Sequence, residues 1–374
     1  MLSGLALALG YSSVTLLWTP SLSHGAHALL GSAAALATAV VVLLLVGTKR
    51  ATLSAFAGGV LAAGAAQVLL AVVEIGTGFH VSTTFGASYL QEWNLDRIED
   101  ILGPIAIGTM GNPNDLGALF LLTISVLLSA EAFGLRLSIR TQWIAWLLAT
   151  SAIVIGFTSL NDARGFQLGV LMLCGLHVLD RLRPQSRFRC LVGIAAIGVV
   201  LVLRLLYAWI RGGAPLAIGT SDSLRLNLLA QALQTTVESH GFGRGLGTEA
   251  ALLETGALPI NFHNVVAQLA AEAGIVIAGA YLLYLLSLLW RWLAVGRVAP
   301  FPDERVRLAR ASIAVGILIY GATSSGVLDS PLHWAFFVTP TLLAGVRPVR
   351  TPLVHLPAVE TRSRLLNWRA RRPA

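Results

Sequence analysis

The 374-residue chain is 56% hydrophobic and only 12% charged, and its apolar runs repeatedly exceed about 18 residues, which excludes a soluble globule and defines the membrane class. Its formal charge of +8 would suit nucleic acid, but the basic residues sit in short gaps between apolar runs, where membrane orientation accounts for them and no nucleic-acid partner is needed. Cys174 and Cys190 lie in or beside apolar segments without metal spacing, against a zinc site or a disulfide framework.

About 20 apolar residues rising 1.5 Å each span the hydrocarbon core. That ruler predicts an all-α, polytopic integral membrane bundle of about 10 transmembrane helices, with about 12 as the upper bound. The candidate spans are residues 3–18, 26–46, 53–76, 113–133, 141–159, 164–180, 190–210, 263–290, 309–327 and 331–346. The run from Leu2 to Trp18 has no basic leader and no small-residue cleavage site after it, and is read as a retained helix. Residues 1–346 then form one transmembrane domain with a large extracytoplasmic loop, 211–262, containing short helices, and residues 347–374 form a basic tail.

Basic residues collect in alternate gaps: Lys49 and Arg50, Arg136 and Arg140, Arg181 to Arg189, Arg291 to Arg310, and the tail from Arg347 to Arg372. The positive-inside rule makes these gaps, and both termini, cytoplasmic. Arg97, Arg164, Arg204, Arg211, Arg225 and Arg244 fall outside them. Arg211 can snorkel at a helix end; the others need another reason, and an anionic ligand is one.

The first outer gap, Thr77 to Gly111, spaces Leu95, Ile98, Leu102 and Ile105 helically, with Glu92, Asp96, Glu99 and Asp100 away from them. It reads as a helix on the outer interface without chemistry. The "GNPNDLG" that follows offers Asn112 as cap, Pro113 at the first helical position and Asp115 as a capping-box acid, so a helix start explains it as well as a site does. In the next outer gap, "SLNDARGFQ", Arg164 opposes the dipole of the helix it opens. It either pairs with Asp162 or meets an anionic headgroup or substrate. Arg204 lies about 9 Å from the outer end of its span and shares a face with Arg211. Snorkelling to the interface and facing a polar cavity both remain open for it.

The one long polar interval runs from Arg211 to Gly274. Ser221 or Asp222 can cap a helix in it, Leu226, Leu229, Leu233 and Val237 line one side, Gly241 suits its end, and Arg225 projects from its first turn. "HGFGRGLG" is no dinucleotide fingerprint, because no strand precedes it. Its Gly243 and Gly245 beside Arg244 offer either a bare-backbone phosphate nest or a flexible turn. His263 opens the next span, and Asn264, Gln268 and Glu272 put a polar stripe down it. Glu272, about 13 Å along the helix, should face the bundle and be paired or protonated, with Arg204 as the named partner. For His263 an interfacial ring bonded to backbone stands beside a chemical role.

"GNPNDLG" opening one helix, "ARG" opening another, and an Arg-bearing outer segment leading through "HGFGRGLG" to "HNVVAQLAAEAGIVIAG" together resemble the O-antigen ligase and polymerase superfamily, over about Asn112 to Leu293. Ala163 stands where that family usually has serine. The resemblance implies an inverting, metal-independent glycosyltransferase at the outer face of a bacterial inner membrane, facing the periplasm or cell exterior and needing no cofactor. It would move a glycan from a polyprenyl (undecaprenyl) diphosphate carrier to a hydroxyl of a lipid-linked, glycan or protein acceptor. By resemblance Arg164 and Arg225 would hold the diphosphate, and His263 would act near the acceptor hydroxyl or the phosphate. Arg244, Arg204, Arg211, Asn264, Glu272, Gly243 and Gly245 would complete the cavity. A repeat-unit polymerase of the same superfamily and a transporter or flippase of lipid-linked glycans are the alternatives. A transporter should carry polar stripes reaching both sides, whereas here the unexplained polarity lies on the outer side.

Overall fold

The computed structural model describes residues 2–46, 50–79, 106–110, 113–158, 164–182, 220–256, 262, 264–293, 304–323 and 330–345. Among them the regular structure is helical throughout: α1 (Leu2–Val14), α2 (Leu22–Val46), α3 (Arg50–Thr77), α4 (Pro113–Leu128), α5 (Ile139–Thr158), α6 (Arg164–Asp180), α7 (Thr220–Glu238), α8 (Thr248–Glu254), α9 (Val265–Ala273), α10 (Ile275–Leu293), α11 (Glu304–Thr323) and α12 (Pro331–Gly345). Short 3-10 turns at Thr15–Leu17 and Gly108–Met110 precede α2 and α4. Pro113 opens α4 with Asp115 in its first turn, as the missing proline N–H and the helix dipole favour.

Among the described residues, four helices are long and apolar enough to cross a membrane: α2, Thr52–Thr77 of α3, α5 and α10. Pro113–Leu128, Gly165–Asp180 and Leu332–Ala344 are shorter apolar helices. Leu44, Leu69, Trp143, Leu147 and Leu283 stand exposed on the long ones, the side chains a hydrocarbon solvent accepts and water does not. The chain is thus a helical membrane protein. Of the ten expected spans, 190–210 lies outside the described residues, as do the expected interfacial helix at Leu95 to Ile105 and the basic tail. Two others are divided. The first becomes α1 and a 3-10 turn, and the eighth is cut at Gly274 into α9 and α10.

α11 is the central post, with Ala309, Ile313, Ala314 and Ile317 fully buried, and it packs against α4, α6, α10 and α12. Small residues let neighbouring helices approach: Gly64 meets Thr123, Gly169 meets Leu121, and Gly156 receives the Phe166 ring. The end of α6 meets the end of α10, and the turn after α4 meets the start of α11. There Trp292 Nε1 donates to Asp180 at 2.9 Å and Arg305 pairs with Glu131. The turn at Gly241 to Gly247 lies against the starts of α2 and α10, with α12 beside them.

Candidate functional site

Gly274 is the pivot beside that turn. Its φ of 87° and ψ of 165° are open to glycine and stop α9. The N–H of Ile275, first in α10, donates to Gly241 O at 2.9 Å instead of continuing the helix. The freed carbonyls of Ala271 and Glu272 accept from Arg244 N at 2.8 Å and Gly245 N at 3.0 Å. The turn after α7 is therefore spliced into a broken helix, satisfying donors and acceptors that a helix end leaves orphaned. Val265 and the Tyr281 hydroxyl both stand against Gly321, so α9 folds back beside α10. This corrects the expected continuous helix over 263–290: α9 ends at Gly274, and Glu272 stands beside the break.

The turn leaves no room for side chains. Gly243 has φ of 79°, and a Cβ there would stand 2.5 Å from Glu272 O and 2.6 Å from Gly274 N. At Gly245, φ 100°, a Cβ would stand 2.7 Å from Thr15 O. The N–H of Gly243 donates to Ser239 Oγ at 3.0 Å, those of Arg244 and Gly245 to the helix end, and that of Leu246 to Thr15 Oγ1 at 3.2 Å. Protein acceptors thus fill the expected phosphate nest, and the glycines serve close backbone packing. The turn's carbonyls are used as well: Tyr11 Oη donates to Phe242 O at 3.0 Å, Trp18 Nε1 to Gly243 O at 3.0 Å, and Thr19 Oγ1 to Leu246 O at 2.6 Å.

The polar stripe of α9 faces α8. Asn264 caps α9, its Oδ1 accepting from Val266 N and Ala267 N at 3.0 Å each, which satisfies two orphan donors. Gln268 Nε2 donates to Glu249 Oε2 at 2.9 Å. Glu272, only 3% exposed, accepts from Glu249 N at 3.1 Å, and Glu249 accepts in turn from Phe262 N. Both buried carboxylates therefore tie backbone to backbone, as burial of a charge requires. Arg204, the expected partner of Glu272, lies outside the described residues, as do Arg211 and His263.

The remaining candidates are spread around this frame. Arg244 is exposed and pairs with Glu238 at 2.6 Å. Arg225 stands on α7 thirteen residues before Glu238, about 20 Å along the axis, too far for one diphosphate to bridge the backbones of Arg225 and Arg244. One turn beyond Arg225, Leu228 joins Phe262, Ala267 and Ala271 in one buried cluster. The structure thus gathers Gly243, Arg244, Gly245 and Glu272 at the broken end of α9, and Asn264 with the backbone of Arg225 toward its start. Arg164 opens α6, which packs on α4 and α11.

Three features escaped the sequence reading. Glu74, fully buried in α3, accepts from Ile107 N at 2.9 Å and Gly108 N at 2.8 Å, holding the approach to α4. As the lone acid of an apolar span it carried a signal that could have found it. Tyr11, Thr15, Trp18 and Thr19, which clamp the turn, carried none, because their partners are more than 200 residues away. Between α10, α11 and α12, Tyr281 Oη lies 3.2 Å from Nε2 of the fully buried His333, and Tyr320 Oη lies 3.1 Å from Ser330 Oγ.

Beneath the turn is a cavity of about 770 Å³ between α1, α2, α9, α10 and α12. Leu7, Leu36, Leu269, Tyr284 and Phe337 are among the side chains that line it, and the exposed Phe242, Ile275 and Val276 mark its mouth. Its size is that of a ligand site, and its walls suit hydrocarbon.

Fold and site define a helical membrane protein in which α7, α8 and the turn between them are joined to a broken helix at one end of the bundle. Compared with known proteins, the chain matches no family model and no curated protein sequence.

Proposed function

We propose that this protein is an inverting glycosyltransferase that moves a glycan from a polyprenyl diphosphate carrier to an acceptor hydroxyl at the outer face of a bacterial inner membrane. The observation that carries the reading is the apolar cavity of about 770 Å³ that opens at Phe242. A long hydrocarbon such as a polyprenyl chain is the ligand chemistry that this apolar lining suits. Arg225 and Arg164 receive the diphosphate, and His263 serves the acceptor. The acceptor oxygen attacks the anomeric carbon from the face opposite the phosphate, the carbon–oxygen bond to phosphate breaks, and its electron pair leaves with the diphosphate. His263 takes the acceptor proton. Guanidinium groups stabilise the leaving charge without a metal, a role preorganised cations fill in a water-poor site.

Deletion of the gene, followed by analysis of surface glycan and of carrier-linked glycan, tests the reading. Loss of repeat ladders identifies a polymerase, and a full-length chain stranded on its carrier identifies a ligase. Unchanged glycan in both pools contradicts the proposal.

A further inference from the structure

α7 carries an apolar face that nothing among the described residues covers. Around its axis Leu228, Ala232, Thr235 and Thr236 are buried, packed toward α9 and Phe262. At 100° per residue, Leu229, Leu233 and Val237 form the adjoining strip, and all three are exposed, Val237 to 73%. Gln234 and Glu238 occupy the far side and bond to each other at 2.8 Å. A helix washed by water on all of its free surface would carry polar residues in the middle strip as well.

The strip leads into surface that belongs to a membrane-crossing helix. Phe242, 66% exposed, follows Val237 across the turn, and Gly241 O holds the N–H of Ile275 at 2.9 Å. The end of α7 is thereby fixed at the level where α10 begins. The outward side of α10 starts with Ile275 and Val276 and continues through Leu283, Leu286 and Trp290, all exposed on a helix long and apolar enough to cross a membrane. Lipid that covers this side of α10 meets Phe242, which shares the cavity mouth with Ile275 and Val276, and Val237 precedes it at the end of α7.

We propose that α7 is seated in the membrane interface, with Leu229, Leu233, Val237 and Phe242 immersed in lipid hydrocarbon and Gln234 and Glu238 turned to water. This is the arrangement by which an amphipathic helix of low overall hydrophobicity lies on a bilayer. The occupant is lipid and not a second copy of the chain, because the strip is continuous with the lipid face of α10. The inference is independent of the reaction proposed above. Its consequence for the fold is that the turn and the cavity mouth sit at headgroup level, open sideways to the bilayer.

The test uses the full chain in lipid nanodiscs with Cys174 and Cys190 replaced by alanine and single cysteines, each carrying a nitroxide, at Leu229, Leu233, Val237, Phe242 and Gln234. Collisions with dissolved oxygen, which concentrates in lipid, are compared with collisions with a water-soluble nickel chelate. Oxygen exceeds nickel at the four apolar positions, and the ratio inverts at Gln234. Nickel access at Leu233 and Val237 equal to that at Gln234 overturns the seat, as does low access to both reagents with dipolar broadening between labels, which would mark a second copy. Four lipid-side positions keep the test decisive if one variant fails to fold.

Discussion

The two ends of α9 differ in what their polar groups are for. At the Gly274 end, donors and acceptors of the turn and the helix break meet one another: Arg244 N with Ala271 O, Gly245 N with Glu272 O, Ile275 N with Gly241 O. At the other end, Asn264 closes the helix, and the neighbouring backbone brings Phe262 and the Arg225 stretch of α7 into one cluster through Leu228. The comparison teaches that glycine and acid content in an outer segment need not signal ligand binding. Here they make a helix break possible.

Substitutions can break or sharpen that contrast. Gly243→Ala carries the largest expected cost: its φ of 79° and a Cβ 2.5 Å from Glu272 O combine left-handed strain with a backbone collision, about 3 kcal/mol or more. Its melting temperature in detergent should fall sharply, and a wild-type melting curve would show that the turn is not packed as described. Glu272→Ala follows, at about 2 kcal/mol, because it leaves Glu249 N buried without that acceptor; Glu272→Gln, which retains a carbonyl oxygen, should recover most of the loss. Asn264→Ala removes a helix cap and should cost about 1 kcal/mol. Arg244→Ala breaks only an exposed pair with Glu238 and should shift stability by less than about 1 kcal/mol. A loss as large as that of Gly243→Ala would make Arg244 part of the frame.

Much of this was legible in the sequence, for identifiable reasons. Apolar length marked α2, α3, α5 and α10, because hydrocarbon thickness is a ruler that needs no tertiary information. Proline at the start of α4 and the spacing of Asn264, Gln268 and Glu272 marked a helix start and a polar stripe that turns away from lipid. The break at Gly274 was not legible. A glycine in an apolar helical run is tolerated at a cost of about 1 kcal/mol, and here the break rests with the distant turn at Gly241 to Gly245, which takes the helix-end groups. The same distance hid the roles of Tyr11 and Trp18. On α7 the periodicity identified Leu229, Leu233 and Val237 as one side, but the side that packs on α9 is its neighbour, Leu228 and Ala232. An amphipathic pattern cannot tell a face that meets protein from one that meets lipid.

The central claim is tested most directly by release of polyprenyl diphosphate from a polyprenyl-diphosphate glycan, with acceptor present, by purified protein in proteoliposomes containing a chelator of divalent metals. Wild-type protein should release the carrier, and Arg225→Ala or His263→Ala should lower the rate by about 100-fold or more at an unchanged melting temperature. Release by Arg225→Ala and His263→Ala at the wild-type rate, or none by wild-type protein with glycan and acceptor supplied, would contradict the account.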